Sequence, residues 1–194
     1  MGTSRPLSAC AVFRILPACR CVHLWIDSGQ SYSTWKRSGG FFQIMRYFVD
    51  CEFNGFGGPL ISLAAVPEAP DASIFYAATH CVDPQDWVAE QVLPVLGIAP
   101  QSIEAMAGAF ADFLEDDPDP LLVADWPEDI AHAAQLLAQG TRRLREGPVR
   151  FALMEVSDFS TDVLSAVPHN AREDAKALRQ FVLAREAWEK RAAG

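Results

Sequence analysis

The sequence has little positive charge, no long apolar run and no repeated segment. Its 16 Lys and Arg residues are outnumbered by 25 Asp and Glu residues, and the net charge of −9 argues against a surface that binds nucleic acid through charge alone. No run of about 18 apolar residues occurs, so we expect no membrane-spanning helix and no membrane partner. A calcium loop of the Asp-x-Asp-x-Asp-Gly type is also missing, which makes a calcium-stabilised structural protein the weakest interpretation.

The cysteines are few and irregularly spaced. There are five of them, an odd number. Cys19 and Cys21 have only His23 nearby and no second pair of ligands, so their spacing fits no structural zinc site. Cys51 lies within an apolar run, where we expect it to pack as a small apolar side chain. A reducing compartment, the cytoplasm, suits this pattern best.

Two parts of the chain differ in composition. Residues 45–194 carry 24 acidic and 11 basic residues, a net charge of −13, whereas residues 1–44 are basic and irregular, with a net charge of +4. With 50% hydrophobic residues, the chain has enough apolar surface for one packed domain, which we place at 45–194. Residues 1–44 are interpreted either as a mostly disordered extension or as sequence upstream of a true start at Met45, because Met45 opens directly into a strand pattern. Peptides from upstream of Met45 in the natural protein would decide between these.

The stretch around Asp50 organises the domain. Residues 47–53 are rich in strand formers, residues 55–59 hold three glycines and a proline that predict a turn, and residues 60–66 form a second apolar run. Alternate residues of a strand share a face, so Asp50 and Glu52 should point the same way. Two carboxylates in so apolar a strand are costly unless a cation binds them, and a divalent metal is the natural candidate.

The remaining pattern predicts an α/β fold. An antiparallel meander of three strands is followed by two further strands parallel to the first, which makes a mixed five-stranded sheet flanked by helices, a ribonuclease H-like arrangement. Ligands are then expected near the strand ends. The predicted elements are strands over 47–53, 60–66 and 71–78, helices beginning at Asp83–Pro84 and at Ser102, a strand over 121–124, a helix over 130–139 stopped by Gly140, a strand over 149–156, a loop with one helical turn over 157–167, and a terminal helix capped by Asn170.

Further acids and a histidine follow in an order that suits a metal site. An acid stands near the start of the helix after the fourth strand, either Asp125 or Asp129, and Asp174 opens the terminal helix. Together with the acids of the first strand they offer oxygen ligands for two magnesium ions, which stabilise both the attacking and the leaving oxygen in phosphodiester cleavage. His169 is the candidate general base, since an imidazole accepts a proton from water near neutral pH.

Each of these residues also has a structural interpretation. Asp50 and Glu52 would suit a solvated strand edge, and His169 would suit a helix entry that bonds nearby backbone. Asp125 is a candidate N-cap, and Asp129 a first-turn acid that favours the helix dipole. The order of the residues, rather than any one of them, favours the metal site.

The order Asp50-x-Glu52, Asp129, His169-x-x-x-x-Asp174 resembles that of the DEDDh 3′–5′ exonucleases. The segments 50–63 and 169–178 are similar to a small bacterial branch of that family, the RNase AS-like exoribonucleases, and the resemblance covers about residues 45–185. The middle motif departs from the family form His-Asn-x-x-Phe-Asp, because this chain has Asp-Trp-Pro-Glu-Asp at 125–129. Aligning the Asp that opens the helix selects Asp129 over Asp125.

This resemblance implies a metal-dependent 3′–5′ exoribonuclease. Such an enzyme removes nucleoside monophosphates from single-stranded or 3′-tailed RNA, uses two Mg²⁺ or Mn²⁺ ions per site, and forms a homodimer, for which the apolar face of the terminal helix with Trp188 offers a surface. By the resemblance, the metal ligands are Asp50, Glu52, Asp129 and Asp174, and the base that activates water is His169.

Four residues near these acids are candidates for substrate binding. Phe53, Asn54 and Phe56 follow Glu52 directly, where they would stack on or hydrogen-bond the terminal nucleotide, and Trp126 would stack on a base. The alternatives are core packing for the aromatic residues and turn formation for Asn54. Two other functions stay open: a DNA exonuclease of the proofreading type, because the acids do not distinguish ribose from deoxyribose, and a catalytically inert ribonuclease H-like binding module.

Overall fold

A computed structural model of the chain describes residues 36–37, 40–41, 45–139, 142–154 and 156–194. Most of the N-terminal extension, and Gly140 at the predicted helix end, lie outside the described residues, so both interpretations of residues 1–44 stay predictions. Within the extension, β1 (Lys36–Arg37) pairs antiparallel with β2 (Gly40–Phe41), which the sequence analysis did not predict.

The predicted five-stranded mixed sheet is confirmed. Its strands are β3 (Arg46–Phe53), β4 (Leu60–Pro67), β5 (Phe75–Ala78), β6 (Leu121–Ala124) and, after a hairpin of β7 (Ala138–Gln139) and β8 (Arg142–Arg143), β9 (Arg150–Leu153). They lie in the order β5-β4-β3-β6-β9. The pairs β3–β4 and β4–β5 are antiparallel, and the pairs β3–β6 and β6–β9 are parallel. The result is an α/β fold consistent with the ribonuclease H-like description.

Helices cover both faces of this sheet. They are α1 (Asp86–Gln91), a 3₁₀ turn (Leu93–Val95), α2 (Ile103–Phe113), α3 (Pro127–Leu136), α4 (Thr161–Leu164) and α5 (Ala171–Ala192). Val49 and Cys51 of β3 pack in one core with residues of α2 and α3, whereas Phe48 packs with Leu178 of α5 on the opposite face. The alternation of β3 therefore places Asp50 and Glu52 on the α5 face, as the sequence predicts. No helix in the described part of the chain is long and apolar enough to cross a bilayer.

The predicted cap at Asn170 and the predicted helix start at Ser102 are confirmed. Ser102 Oγ accepts a hydrogen bond from the Ala105 amide at 3.2 Å, and Asn170 Oδ1 accepts one from the Glu173 amide at 3.3 Å. These bonds satisfy amides that the first turn of a helix leaves without backbone partners.

Two predicted helix starts were wrong. The first helix begins at Asp86 instead of Asp83–Pro84, because Asp83 adopts a left-handed φ of 59° that a right-handed helix excludes. The helix predicted over 130–139 runs instead from Pro127 to Leu136. Its first residue is a proline, whose fixed φ suits that position, and Ala138 already belongs to a strand.

Candidate metal centre

The site lies where β3 and β6 end. These strands run parallel, and their register pairs Phe48 with Val123, so extending it by two residues brings Asp50 beside Asp125. Both strands end at the same edge of the sheet, where ligands of open α/β sheets usually bind. The first turn of α3 then supplies Asp129, and the start of α5 supplies His169 and Asp174.

The structure brings the candidate acids and His169 together in two groups. One ligand atom each from Asp50, Asp125 and Asp129 lies within 4.8 Å of the others, and the same is true of Glu52, His169 and Asp174. Both acids that the sequence offered for the middle position therefore belong to the cluster. Asp125 is not the N-cap of α3, because Trp126 occupies that position.

Two hydrogen bonds fix the acids relative to the backbone. Asp129 Oδ1 accepts a bond from the Cys51 amide at 3.1 Å, which ties α3 to the strand between the two acids of β3. Asp174 Oδ2 accepts a bond from the His169 amide at 3.0 Å, and His169 has a left-handed φ of 65°. A non-glycine residue in this conformation is strained, and such strain concentrates at functional sites.

Two carboxylate oxygens of the cluster are buried and lack a partner. Asp50 Oδ2 and Asp174 Oδ1 have no hydrogen bond among the described residues, and Asp129 and Asp174 are each only 2% exposed. A buried polar atom left unpaired costs about 1–3 kcal/mol, and more when charged. A divalent cation would satisfy these oxygens, and a set of five carboxylates and one imidazole suits magnesium or manganese. The residues therefore fit a metal centre.

Burial and mutual repulsion favour the protonated forms of these acids. Burial, aided by the charge of Asp174, raises the pKa of Glu52 to about 8. Burial and the charge of Asp125 raise the pKa of Asp129 to about 8, and burial raises the pKa of Asp174 to about 6. Burial and the surrounding acids raise the pKa of Asp50 well above its ordinary value. Protons therefore compete with any metal for these oxygens.

Two residues next to His169 were not identified from the sequence. The ring of Trp87 meets the imidazole edge-on, with 4.8 Å between ring centroids, and His169 Nε2 lies 3.5 Å from Asp162 Oδ1. Asp162 lies on α4, seven residues before His169, and no motif distinguishes it.

The candidate substrate residues divide between core and surface. Phe53 packs against the core and stacks on His132, with 5.3 Å between ring centroids. Asn54 ties the turn to the segment before α1, because Nδ2 donates to the Asp83 carbonyl at 3.0 Å and Oδ1 accepts from the Gln85 amide at 2.8 Å. Phe56, by contrast, is 86% exposed at the tip of the glycine-rich turn.

Glu128 joins this turn to α3. Its Oε1 accepts a hydrogen bond from the Gly57 amide at 2.6 Å, and its Oε2 accepts one from Trp126 Nε1 at 3.2 Å. Trp126 is half exposed, so the packing role considered for it accounts for only part of its ring. The Glu128 carboxylate therefore links Trp126 to Gly57, the residue after Phe56.

Comparison with protein-family models gives no match for this chain, and a search of curated proteins finds no significantly similar relative.

Proposed function

We propose that the chain is a metal-dependent 3′–5′ exoribonuclease. The observation that carries the proposal is the cluster of five carboxylates and one histidine at the ends of β3 and β6, with Asp50 Oδ2 and Asp174 Oδ1 buried and unpaired. Structural acids are normally paired with cations or hydrogen-bond donors, and this cluster has too few of either among the described residues.

The residues divide into metal ligands and a base. Asp50, Glu52, Asp129 and Asp174 would hold two Mg²⁺ or Mn²⁺ ions, and Asp125 adds a further oxygen to the first group. When bound, such ions supply charge stabilisation for both the attacking and the leaving oxygen of a phosphodiester. His169 takes the proton of the attacking water, whose oxygen bonds to phosphorus as the bond to the 3′ oxygen breaks. The products are a nucleoside monophosphate and an RNA with a new 3′ hydroxyl.

Substrate would be held at the rim of the cluster. Phe56 and Trp126 are exposed and aromatic, so each can stack on an unpaired base. The Phe53 ring packs against the core and the Asn54 side chain bonds the Gln85 amide, so we assign neither of them to substrate binding. An unpaired 3′ end therefore suits this rim better than a duplex end.

The proposal is tested by incubating the full chain with 5′-labelled RNA that has a single-stranded 3′ tail, in Mg²⁺ or in EDTA. We expect a ladder of products shortened from the 3′ end in Mg²⁺ and none in EDTA. Asp50→Asn should remove the ladder, whereas Glu104→Gln, an exposed acid of α2 outside the cluster, should keep it. Absence of cleavage by the wild-type chain together with Mg²⁺ binding would indicate the inert binding module.

The preference for RNA over DNA needs a separate comparison. The metal ions held by the carboxylates would contact phosphate oxygens, which RNA and DNA share, so discrimination must come from contact with the 2′ hydroxyl. Matched RNA and DNA oligonucleotides in one competition assay measure it directly. We expect faster removal of ribonucleotides, and equal rates would favour a nuclease that does not select its sugar.

The oligomeric state belongs to the same proposal. Trp188 on α5 is 63% exposed and extends the apolar face of that helix to the surface. A pair of such faces would form a homodimer. Light scattering on the wild type and on Trp188→Lys tests it, with a dimer and a monomer as the expected states.

A further inference from the structure

His169 is positioned by contacts on its backbone and on its ring. Its amide donates to Asp174 Oδ2 at 3.0 Å, which supports the left-handed backbone. Trp87 packs edge-on against one side of the imidazole. These two contacts set where the ring lies, but neither of them bonds a ring nitrogen.

The contact to a ring nitrogen comes from α4. Asp162 Oδ1 lies 3.5 Å from His169 Nε2, and the Asp162 side chain is 74% exposed. The helix that carries it is anchored, because Phe159 just before α4 packs on Phe181 of α5 with 5.4 Å between ring centroids. Because the carboxylate is largely exposed, this ion pair adds little to the stability of the fold.

We propose that Asp162 is a positioning residue that orients the His169 imidazole toward the metal cluster. The inference rests on the proposed nuclease function, in which His169 accepts a proton. A carboxylate at one ring nitrogen selects the orientation and the tautomer of an imidazole. The other ring nitrogen then carries the lone pair that accepts a proton. One ring nitrogen of His169 already lies within 4.8 Å of carboxylate oxygens of Glu52 and Asp174.

The test uses three variants of the full chain. Asp162→Asn keeps the size of the side chain but removes the carboxylate, and Asp162→Glu restores a carboxylate on a longer arm. Asp158→Asn is the matched control, because Asp158 is an exposed acid of the same segment that does not pair with His169, and its loss changes the net charge equally. Turnover of RNA and the ¹⁵N resonances of the His169 ring in metal-free protein are measured for each, with His169→Gln to assign the resonances.

We expect Asp162→Asn to lower kcat about tenfold, as loss of an outer carboxylate does at other histidine sites, with KM unchanged. Asp162→Glu should recover part of this loss. The two ring nitrogens of His169 should shift in Asp162→Asn and keep their wild-type positions in Asp158→Asn. Equal kcat and equal ¹⁵N spectra in Asp162→Asn and Asp158→Asn would overturn the inference. A wild-type chain that cleaves no RNA would contradict the nuclease proposal instead, and the spectra would still decide the contact.

Discussion

The acids at the two ends of β3 have opposite electrostatic surroundings. At the first end, Arg46 bonds Glu68 at 2.8 Å and Glu186 at 2.5 Å, and the hydrogen bond from Arg46 lowers the pKa of Glu68. At the other end, the charged side chains that act on Asp50 and Glu52 are acids, and burial raises the pKa of both. One strand therefore begins with acids that an arginine bonds and ends with acids that repel one another.

This difference is the one we expect if the acids around Arg46 are structural and the acids around Asp50 serve the proposed function. The network around Arg46 ties β3 to α5 and is complete without a ligand. The cluster around Asp50 leaves two buried oxygens unpaired among the described residues, and a cation would satisfy them. Under the proposed function, this cost is kept for metal binding rather than for stability.

The largest expected effect is on turnover. Asp174→Asn should reduce RNA cleavage by about 10³-fold or more, because it removes a charge that helps to hold the metals. Glu68→Gln removes one charge near the opposite end of the strand and should leave turnover unchanged. Rates are measured under saturating Mg²⁺. Wild-type turnover in Asp174→Asn would contradict a catalytic role for the cluster around Asp50, because Asp174 would then matter no more than Glu68.

A smaller loss is expected from His169→Ala. Removal of a general base typically costs a factor of about 10²–10⁴, and the carboxylates should still bind Mg²⁺. Single-turnover rates and Mg²⁺ titration of the same variant check both parts. If turnover near neutral pH matches the wild type, His169 is not the base.

In metal-free protein, neutralising an acid should change the free energy of unfolding in opposite directions at the two ends of β3. Asp50→Asn replaces a buried unpaired acid and should raise the free energy of unfolding by about 1–2 kcal/mol at pH 8 in EDTA. Glu68→Gln breaks a partly exposed ion pair and should lower it by about 1 kcal/mol. Urea unfolding of both variants against the wild type gives the values. Destabilisation by both substitutions would contradict the view that Asp50 is unfavourable in the metal-free fold whereas Glu68 is stabilising.

The pH dependence of stability follows from the direction of the pKa shifts. Between an ordinary carboxyl pKa and the raised values of about 8 for Glu52 and Asp129, the folded chain binds more protons than the unfolded chain. The free energy of unfolding should therefore fall as pH rises from about 5 to 8 in EDTA. Asp50→Asn should flatten this fall. Melting curves across that range provide the test, and a wild-type stability that rises with pH would contradict the shifts.

Much of the fold was predictable because local signals agreed. Strand alternation, the Ser102 and Asn170 caps and the apolar run of β6 each point to the element that forms. The helix start at Asp86 was missed because Asp83 and Gln85 bond Asn54, a contact across the chain that no local pattern records.

The site was predictable to a similar degree. Its acids and histidine stand in a motif order, and their grouping follows from parallel strands that end at one edge. The contact of Asp162 with His169 was not predictable, because it depends on how α4 packs against α5. The hydrogen bond from the Gly57 amide to Glu128, which joins the glycine-rich turn to α3, was not predictable either.

The most direct test of the contrast between the two ends is calorimetric titration of the metal-free chain with Mg²⁺ at pH 8, repeated with Mn²⁺. Two ions should bind per wild-type chain, Asp50→Asn should lose binding, and Glu68→Gln should bind as the wild type does. Absence of binding to the wild-type chain, or equal binding by Asp50→Asn, would contradict the assignment of this cluster as a metal centre.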